Sequence, residues 1–197
     1  MKQRIAFFDF DGTITTKDTL LEFIKFYKGT GYFYLGFLLY SPFLVAYKLK
    51  LIPNYTAKQK VLSFFFKGES IDLFQNKCDT FSELILPKLI RPKALEEIEK
   101  LKEASAEIVV VSASAENWIS KWAAVNGLKL IGTRLAVSNN KLTGNINGIN
   151  CYGDEKVCRI EQQYDLKLFK EIYCYGDSGG DKEMLKLATF PFYKPFR

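Results

Sequence analysis

Short β-branched and aromatic runs alternating with amphipathic helical stretches predict an α/β fold, a Rossmann-like parallel sheet flanked by helices. Two observations carry that expectation. Apolar runs over 4–10, 107–111 and 171–175 each end in small or acidic residues, and the later two are joined to their neighbours by segments of helical spacing. A third observation modifies it: the stretch from 17 to 90 breaks the alternation and reads as helices alone, so a helical cap inserted after the first strand is expected, with a core made of 1–16 and 91–197.

In order along the chain, Arg4 to Phe10 is a strand rich in apolar residues. Within the cap, Leu20 to Tyr27, the aromatic run after Gly31, Ala57 to Phe66 and Ile71 to Leu86 read as helices. From Pro92 to Ala104 the spacing of Leu95, Ile98 and Leu101 predicts a helix, with Pro92 suited to its first turn and Glu96 placed to pair with Lys100. Glu107 to Val111 is a buried strand, and Ala115 to Asn126 is a crossover helix with Trp118 and Trp122 on one face and Gly127 as its terminator. Lys129 to Gly132 is a further strand, and 135–146 alternates about Ser138-Asn139-Asn140-Lys141, a hairpin expected to protrude as a short flap. Asp154 to Tyr164 is helical, Glu171 to Tyr175 a strand, and Lys182 to Ala188 a helix after a glycine-rich turn.

Composition bounds the chemistry. The 197 residues are 48% hydrophobic and 25% charged, which suits a globular chain rather than a disordered one. Net charge is +6, spread without a basic block, so an anionic partner is favoured and no nucleic-acid signature is present. Histidine is absent altogether, which removes Ser-His-Asp triads, histidine general bases and mixed Cys/His zinc sites at once. Acid–base work falls to carboxylates or lysine. The same absence disposes of a protease reading for Gly176-Asp177-Ser178-Gly179-Gly180, since nothing can activate Ser178. Four unpaired cysteines and the lack of an apolar leader before Asp9 are expected of a cytoplasmic protein.

Asp9-Phe10-Asp11-Gly12-Thr13 closes the first strand, and extended alternation sends the carboxylates of Asp9 and Asp11 to one side. Like charges that close call for a cation, and hard oxygen donors are what magnesium selects. Gly176 to Asp181 supplies two more carboxylates after another strand, Ser112 ends a third, and Lys156 offers a fixed positive charge. Taken alone, an Asp-x-Asp pair at a strand end is often a solvated turn, Ser112 a helix cap, and Lys156 a surface lysine. Four motifs in one order outweigh those readings.

With Asp9–Thr13, Val109–Ser114, Lys156 and Gly176–Asp181 in that order, the sequence resembles the haloacid dehalogenase superfamily over essentially its full length. The helical insert (a C1-type cap) makes it similar to phosphoserine phosphatase and to the bacterial subfamily IB hydrolases, which include a phosphatidylglycerophosphate phosphatase. The resemblance implies a magnesium-dependent phosphomonoester hydrolase. In it, Asp9 is the nucleophile that forms an aspartyl-phosphate, and Asp11 is the acid and then the base. It further implies Mg²⁺ held by the carboxylates of Asp9 and Asp177 with the backbone carbonyl of Asp11, Asp181 in support, and Ser112, Ala113 and Lys156 on the transferring group. Having Asp11 as a second acid fits a phosphatase rather than a dehalogenase. Gly180 departs from the family pattern, where many relatives carry Asn.

Substrate choice rests on the cap. Phosphoserine-specific relatives have a glutamate where this chain has Asp18, and a cap arginine that is missing between Lys17 and Ile90. Phosphoserine or another small soluble phosphate such as histidinol phosphate is therefore the alternative, and a lipid phosphate such as phosphatidylglycerophosphate is the favoured reading. A phosphotransferase and a non-catalytic phosphate-binding or membrane-peripheral protein are the further alternatives. Gly29 to Tyr47 is uncharged and as a helix would be about 28 Å long, near bilayer thickness. A transmembrane span there would part Asp9 from Ser112 and Asp177, so none is expected; membrane-surface contact, flanked by Lys25, Lys28, Lys48 and Lys50, and internal packing stand as equal readings.

Overall fold

The computed structural model describes residues 2–39, 41 and 54–197. Five parallel strands form the main sheet: β1 (Lys2–Phe8), β2 (Glu107–Ala115), β3 (Lys129–Thr133), β6 (Phe169–Gly176) and β7 (Phe190–Tyr193), in the order β3-β2-β1-β6-β7. The central strand is thus the one that leads directly into Asp9. Its register aligns Phe8 with Val110 on one side and with Tyr175 on the other, so the carboxyl ends of β1, β2 and β6 lie side by side. In an open parallel sheet such ends form the crevice where ligands bind.

Strand alternation builds two cores. Ile5 and Phe7 join Val109, Val111, Ile160 and Met184 under α7 (Asp154–Gln163) and α8 (Lys182–Lys186). Ala6 and Phe8 face the other way, into a larger core that also takes residues from α5 (Pro92–Glu103) and α6 (Glu116–Val125). Phe8 stacks on Tyr175 at 4.1 Å between ring centroids. β7 was not expected: it is four residues long, holds Pro191 and lies exposed at the sheet edge, where a proline is tolerated and little apolar pattern is needed.

The chain leaves the sheet at Thr15 and returns at Ile90, residues joined by an antiparallel bridge and flanked by Thr16 N–H to Leu89 O at 2.7 Å and Arg91 N–H to Ile14 O at 2.8 Å. Between them run α1 (Thr19–Lys28), α2 (Thr30–Leu39), α3 (Asn54–Phe66) and α4 (Ile71–Leu84), the helices expected from the sequence. They pack through aromatic rings. Phe23 of α1 lies 5.0 Å from Trp118 of α6 in a stacked pair and meets Phe66, Phe74 and Phe81 at 5.3–5.6 Å.

α2 is apolar around its whole circumference. Phe33 and Gly36 are buried and Phe37 packs on Phe65, but Tyr34, Leu38 and Leu39 are 64%, 71% and 58% exposed. The expected uncharged run therefore divides into a packed face and an open face as far as Leu39; apart from Ser41, its remainder lies outside the described residues. Among the described residues, no helix is long and apolar enough to cross a membrane.

β4 (Leu135–Ser138) and β5 (Lys141–Ile146) form the expected hairpin, with Asn139 and Asn140 at φ 49° and 58°, the left-handed pair that a two-residue turn of the I′ kind demands. It does not protrude as a flap. Leu142 exchanges backbone hydrogen bonds with Gly68 and Glu69 at 2.8 and 2.9 Å, and Leu142 and Ile146 are buried in the larger core. The apolar side of the hairpin needed a partner, and the inserted helices supply it.

Candidate active site

Beyond the end of β1 the backbone turns sharply at Gly12, where φ is +83° and an added Cβ would stand 2.5 Å from Asp177 Oδ2. A side chain there would be strained by conformation and by contact alike. The turn holds Asp9 and Asp11 on the wall of one cavity of about 690 Å³. Asp9 is buried, its N–H anchored on Tyr175 O at 2.8 Å. Lys156, from the first turn of α7, donates to Asp9 Oδ1 at 2.5 Å, to Asp181 Oδ1 at 2.7 Å and to Val111 O at 2.9 Å, so all three ammonium protons are used. Burial drives the Asp9 carboxyl up to about 7; Lys156 pulls it down, while Asp181 and Asp11 add to the rise. Burial also disfavours a charged Lys156, but its two carboxylate partners outweigh this and raise its pKa.

Asp11 faces the inserted helices. Its Oδ1 accepts from Thr19 N–H, at the start of α1, at 2.6 Å, and its Oδ2 from Ser114 Oγ at 2.6 Å and Ser112 Oγ at 3.4 Å. Asp18 is the N-cap of α1, accepting from Leu21 N–H at 3.1 Å, and it too lines the cavity. Desolvation and then Asp11 push the Asp18 carboxyl up to about 6, although the residue as a whole is exposed.

Asp177 and Asp181 follow β6. Asp181 Oδ2 accepts from the N–H groups of Asp177 and Ser178 at 3.1 and 2.9 Å and from Ser178 Oγ at 2.8 Å, in a capping box that fixes the loop. One carboxylate oxygen from each of Asp9, Asp177 and Asp181 lies within 4.8 Å of the others. Oxygen-only and anionic, with Asp9 and Asp181 buried and Asp177 partly so, this triangle fits a hard divalent cation such as Mg²⁺. Asp177 also pairs with the guanidinium of Arg197; burial raises its carboxyl pKa and Arg197 opposes the rise.

A model of the family described as haloacid dehalogenase-like hydrolase matches residues 6–186. The chain belongs to the haloacid dehalogenase-like hydrolases. Protein CicA of Caulobacter vibrioides is 34% identical to this hydrolase over 196 residues, covering 96% of this chain and 85% of that one. Probable phosphatase Rv3661 of Mycobacterium tuberculosis is 27% identical over 188 residues, 92% of this chain and 65% of that protein. In fold, the hydrolase is similar to a protein of unknown function from Bordetella pertussis Tohama I, with a TM-score of 0.84, 21% identity and coverage of 96% and 88% of the two chains. A substrate-bound phosphoserine phosphatase gives a TM-score of 0.62 at 21% identity, with 95% and 84% covered. At such identities these two likenesses speak for the fold alone.

Of the residues expected to form the site of this hydrolase, Asp9, Asp11, Asp18, Ala113, Lys156 and Asp181 line the cavity together, and Asp177 stands beside it within the carboxylate triangle. The carboxylate of Asp11 is outside that triangle, turned to Thr19 and Ser114. Ser112 is fully buried and its hydroxyl is engaged by Asp11 and by the N–H of Ser114 at 3.0 Å; Ser114, unremarked in the sequence, is the serine that reaches the cavity. Gly180 has a local reason, because an added Cβ would run into the ring of Tyr152. Sequence reasoning also missed Lys58 and Asn150, both cavity residues; an ordinary lysine on a helix and an asparagine in a loop carry no pattern that would have marked them.

Proposed function

We propose that this hydrolase is a Mg²⁺-dependent phosphomonoester phosphatase in which Asp9 is the nucleophile. The observation that carries the reading is one cavity in which Asp9, fixed by Lys156 and ringed by Asp177 and Asp181, faces Asp11 held by Thr19 and Ser114. Asp9 attacks phosphorus, the bond from phosphorus to the ester oxygen breaks, and Asp11 donates a proton to the departing alkoxide. Asp11, now ionised, takes a proton from water, whose oxygen displaces Asp9 from the aspartyl-phosphate and releases inorganic phosphate. Lys156 and the end of β2 around Ala113, which lines the cavity, stabilise charge on the transferring group. Asp9 and Asp177, with Asp11 and Asp181 adjoining, would hold Mg²⁺, which would supply neutralisation of charge on the phosphate oxygens.

The inserted helices act as the cap, closing the cavity over the leaving group. Leu20, Leu21, Phe37, Ala57 and Val61 give that side an apolar wall, and Phe37 belongs to the same helix as the exposed Tyr34, Leu38 and Leu39. The wall supports a substrate with an apolar leaving group, such as a lipid phosphate presented at a membrane surface, over phosphoserine. Asp18 lines the same cavity and caps α1 through its Oδ1.

A panel of soluble and lipid phosphomonoesters, run with and without Mg²⁺ beside Asp9→Asn, tests the reading. Mg²⁺-dependent phosphate release that the variant loses is expected, with long-chain lysolipid phosphate turned over faster than phosphoserine. Retained turnover in Asp9→Asn overturns the nucleophile. Equal rates on soluble and lipid substrates with no vesicle binding overturn the lipid preference. A shortfall of free phosphate against substrate consumed, when an alcohol acceptor is added, would identify a phosphotransferase.

A further inference from the structure

Lys58 reaches from α3 to the cavity floor, where its ammonium donates to the carbonyl of Ala113 and, at 3.2 Å, to Asn150 Oδ1. Ala113 lies where the ladder between β2 and β3 slips: pairing runs to Val111 with Ile131 and resumes at Ala115 with Thr133. Side chains hold its carbonyl in place of the regular ladder. Thr133 Oγ1 is 2.6 Å from that carbonyl and 2.9 Å from Asn150 Oδ1, but its single proton can serve one acceptor at a time. Lys58 donates to both, so deleting it leaves one of the two acceptors unpaired, and deleting Thr133 leaves the hold on the carbonyl to Lys58 alone.

The orientation of this carbonyl propagates. In a trans peptide the Ser114 N–H points opposite to the Ala113 carbonyl. That N–H donates to Ser112 Oγ at 3.0 Å, which leaves the Ser112 hydroxyl proton directed at Asp11 Oδ2 at 3.4 Å. Releasing the carbonyl frees the peptide to rotate, and with it the serine hydroxyl.

We propose that Lys58 is a positioning residue: from the inserted helices it pins the Ala113–Ser114 peptide, and through it the Ser112 hydroxyl, so that the end of β2 that faces the phosphate is set only while α3 is docked on the sheet. The inference rests on the phosphatase reading above and extends it, making cap docking and phosphate binding one event. Loss of a charge-assisted hydrogen bond of this kind is worth about tenfold to hundredfold.

The test compares Lys58→Met, Lys58→Arg, Thr133→Val and the Lys58→Met/Thr133→Val pair on p-nitrophenyl phosphate and glycerol 3-phosphate, with orthovanadate as a mimic of the transferring group that has no leaving group. Lys58→Met is expected to lower kcat by about tenfold to hundredfold on both substrates, with KM nearly unchanged, and to weaken vanadate inhibition by a similar factor. Lys58→Arg restores most of the loss, and the double variant is non-additive because both side chains hold one carbonyl. If Lys58→Met fails to fold, Thr133→Val alone must weaken vanadate. A loss confined to KM of one substrate with vanadate inhibition intact would make Lys58 a leaving-group contact and overturn the proposal, as would unchanged kinetics. A wild-type protein that hydrolyses neither ester and binds no vanadate defeats the phosphatase reading itself and this inference with it.

Discussion

Replacing Lys156 by methionine leaves an apolar side chain one atom shorter and removes a positive charge that touches two buried carboxylates. The side chains of Lys156, Asp9 and Asp181 are 2%, 8% and 1% exposed, so little solvent is present to compensate. Breaking a buried ion pair by deleting one partner costs about 3–5 kcal/mol. That is a large share of the 5–15 kcal/mol typical of a domain and corresponds to a fall in Tm of roughly 6–20 °C at this size. The sign with pH follows from linkage. Without the ammonium, the buried Asp9 carboxyl loses the charge that pulls its pKa down and lies further above its unfolded value near 4, so the folded state binds more protons; stability is present at low pH and is lost as pH rises through the folded pKa. For Asp9 that value is already about 7 with the lysine in place. Urea unfolding followed by the fluorescence of the buried Trp118 and Trp122 measures the effect. The gap between variant and wild type is expected to be wide at pH 8 and narrow at pH 5, and adding Asp181→Asn to the variant recovers part of it. A variant whose midpoint matches wild type at pH 8, or whose deficit widens on acidification, refutes the argument that the lysine compensates buried charge.

Trp118→Ala removes a fully buried ring that stacks on Phe23 and donates from Nε1 to Thr19 Oγ1 at 3.1 Å; it is expected to cost about 3–5 kcal/mol, read by urea denaturation, whereas Trp118→Phe keeps the stack and loses about 1 kcal/mol. Asp18 has a folded pKa near 6, above its unfolded value, so it contributes a loss of stability as pH rises from about 4 through 6. Asp18→Asn preserves the helix cap and flattens that limb of a Tm–pH curve, while Asp18→Ala loses the cap at a cost of about 1 kcal/mol. Arg197→Ala frees Asp177 of its partner and is expected to tighten Mg²⁺ binding about two- to fivefold by calorimetry, an exposed pair being worth at most about 1 kcal/mol; unchanged affinity would remove Asp177 or its arginine from the cation site.

That these acids and the lysine converge was legible because the proposed chemistry fixes residue types at fixed stations of the chain. Acids at a strand end, with lysine as their counter-charge, have few uses that leave both side chains buried, and Asp9, Asp11, Lys156 and Asp181 meet in one cavity as their motifs implied. The sheet was legible for a related reason: strands buried on both faces are nearly continuous apolar runs, as in β1 and β2. β7 escaped because an exposed edge needs no such run. The hairpin was read correctly at its Asn139-Asn140 turn and misplaced in space, since the turn is encoded locally and its packing on Gly68 and Glu69 is encoded some seventy residues away.

Ser112 and Lys58 show a different limit. The serine was picked out by its place at a strand end, where a hydroxyl aimed at phosphate is one of two roles it can take; its own hydrogen bonds, to Asp11 and from Ser114, put it one step behind the cavity wall. Lys58 holds a main-chain carbonyl, and Ala113 contributes nothing to that contact that another residue would lack. Interactions through side chains leave a record in residue type at both ends. An interaction with the backbone leaves it at one end only, and there the record is a lysine among many. The residues that set the geometry of a site are therefore harder to read than those that perform its chemistry, and at the Ala113 carbonyl they come from the inserted helix α3 and the strand β3, two separate parts of the chain.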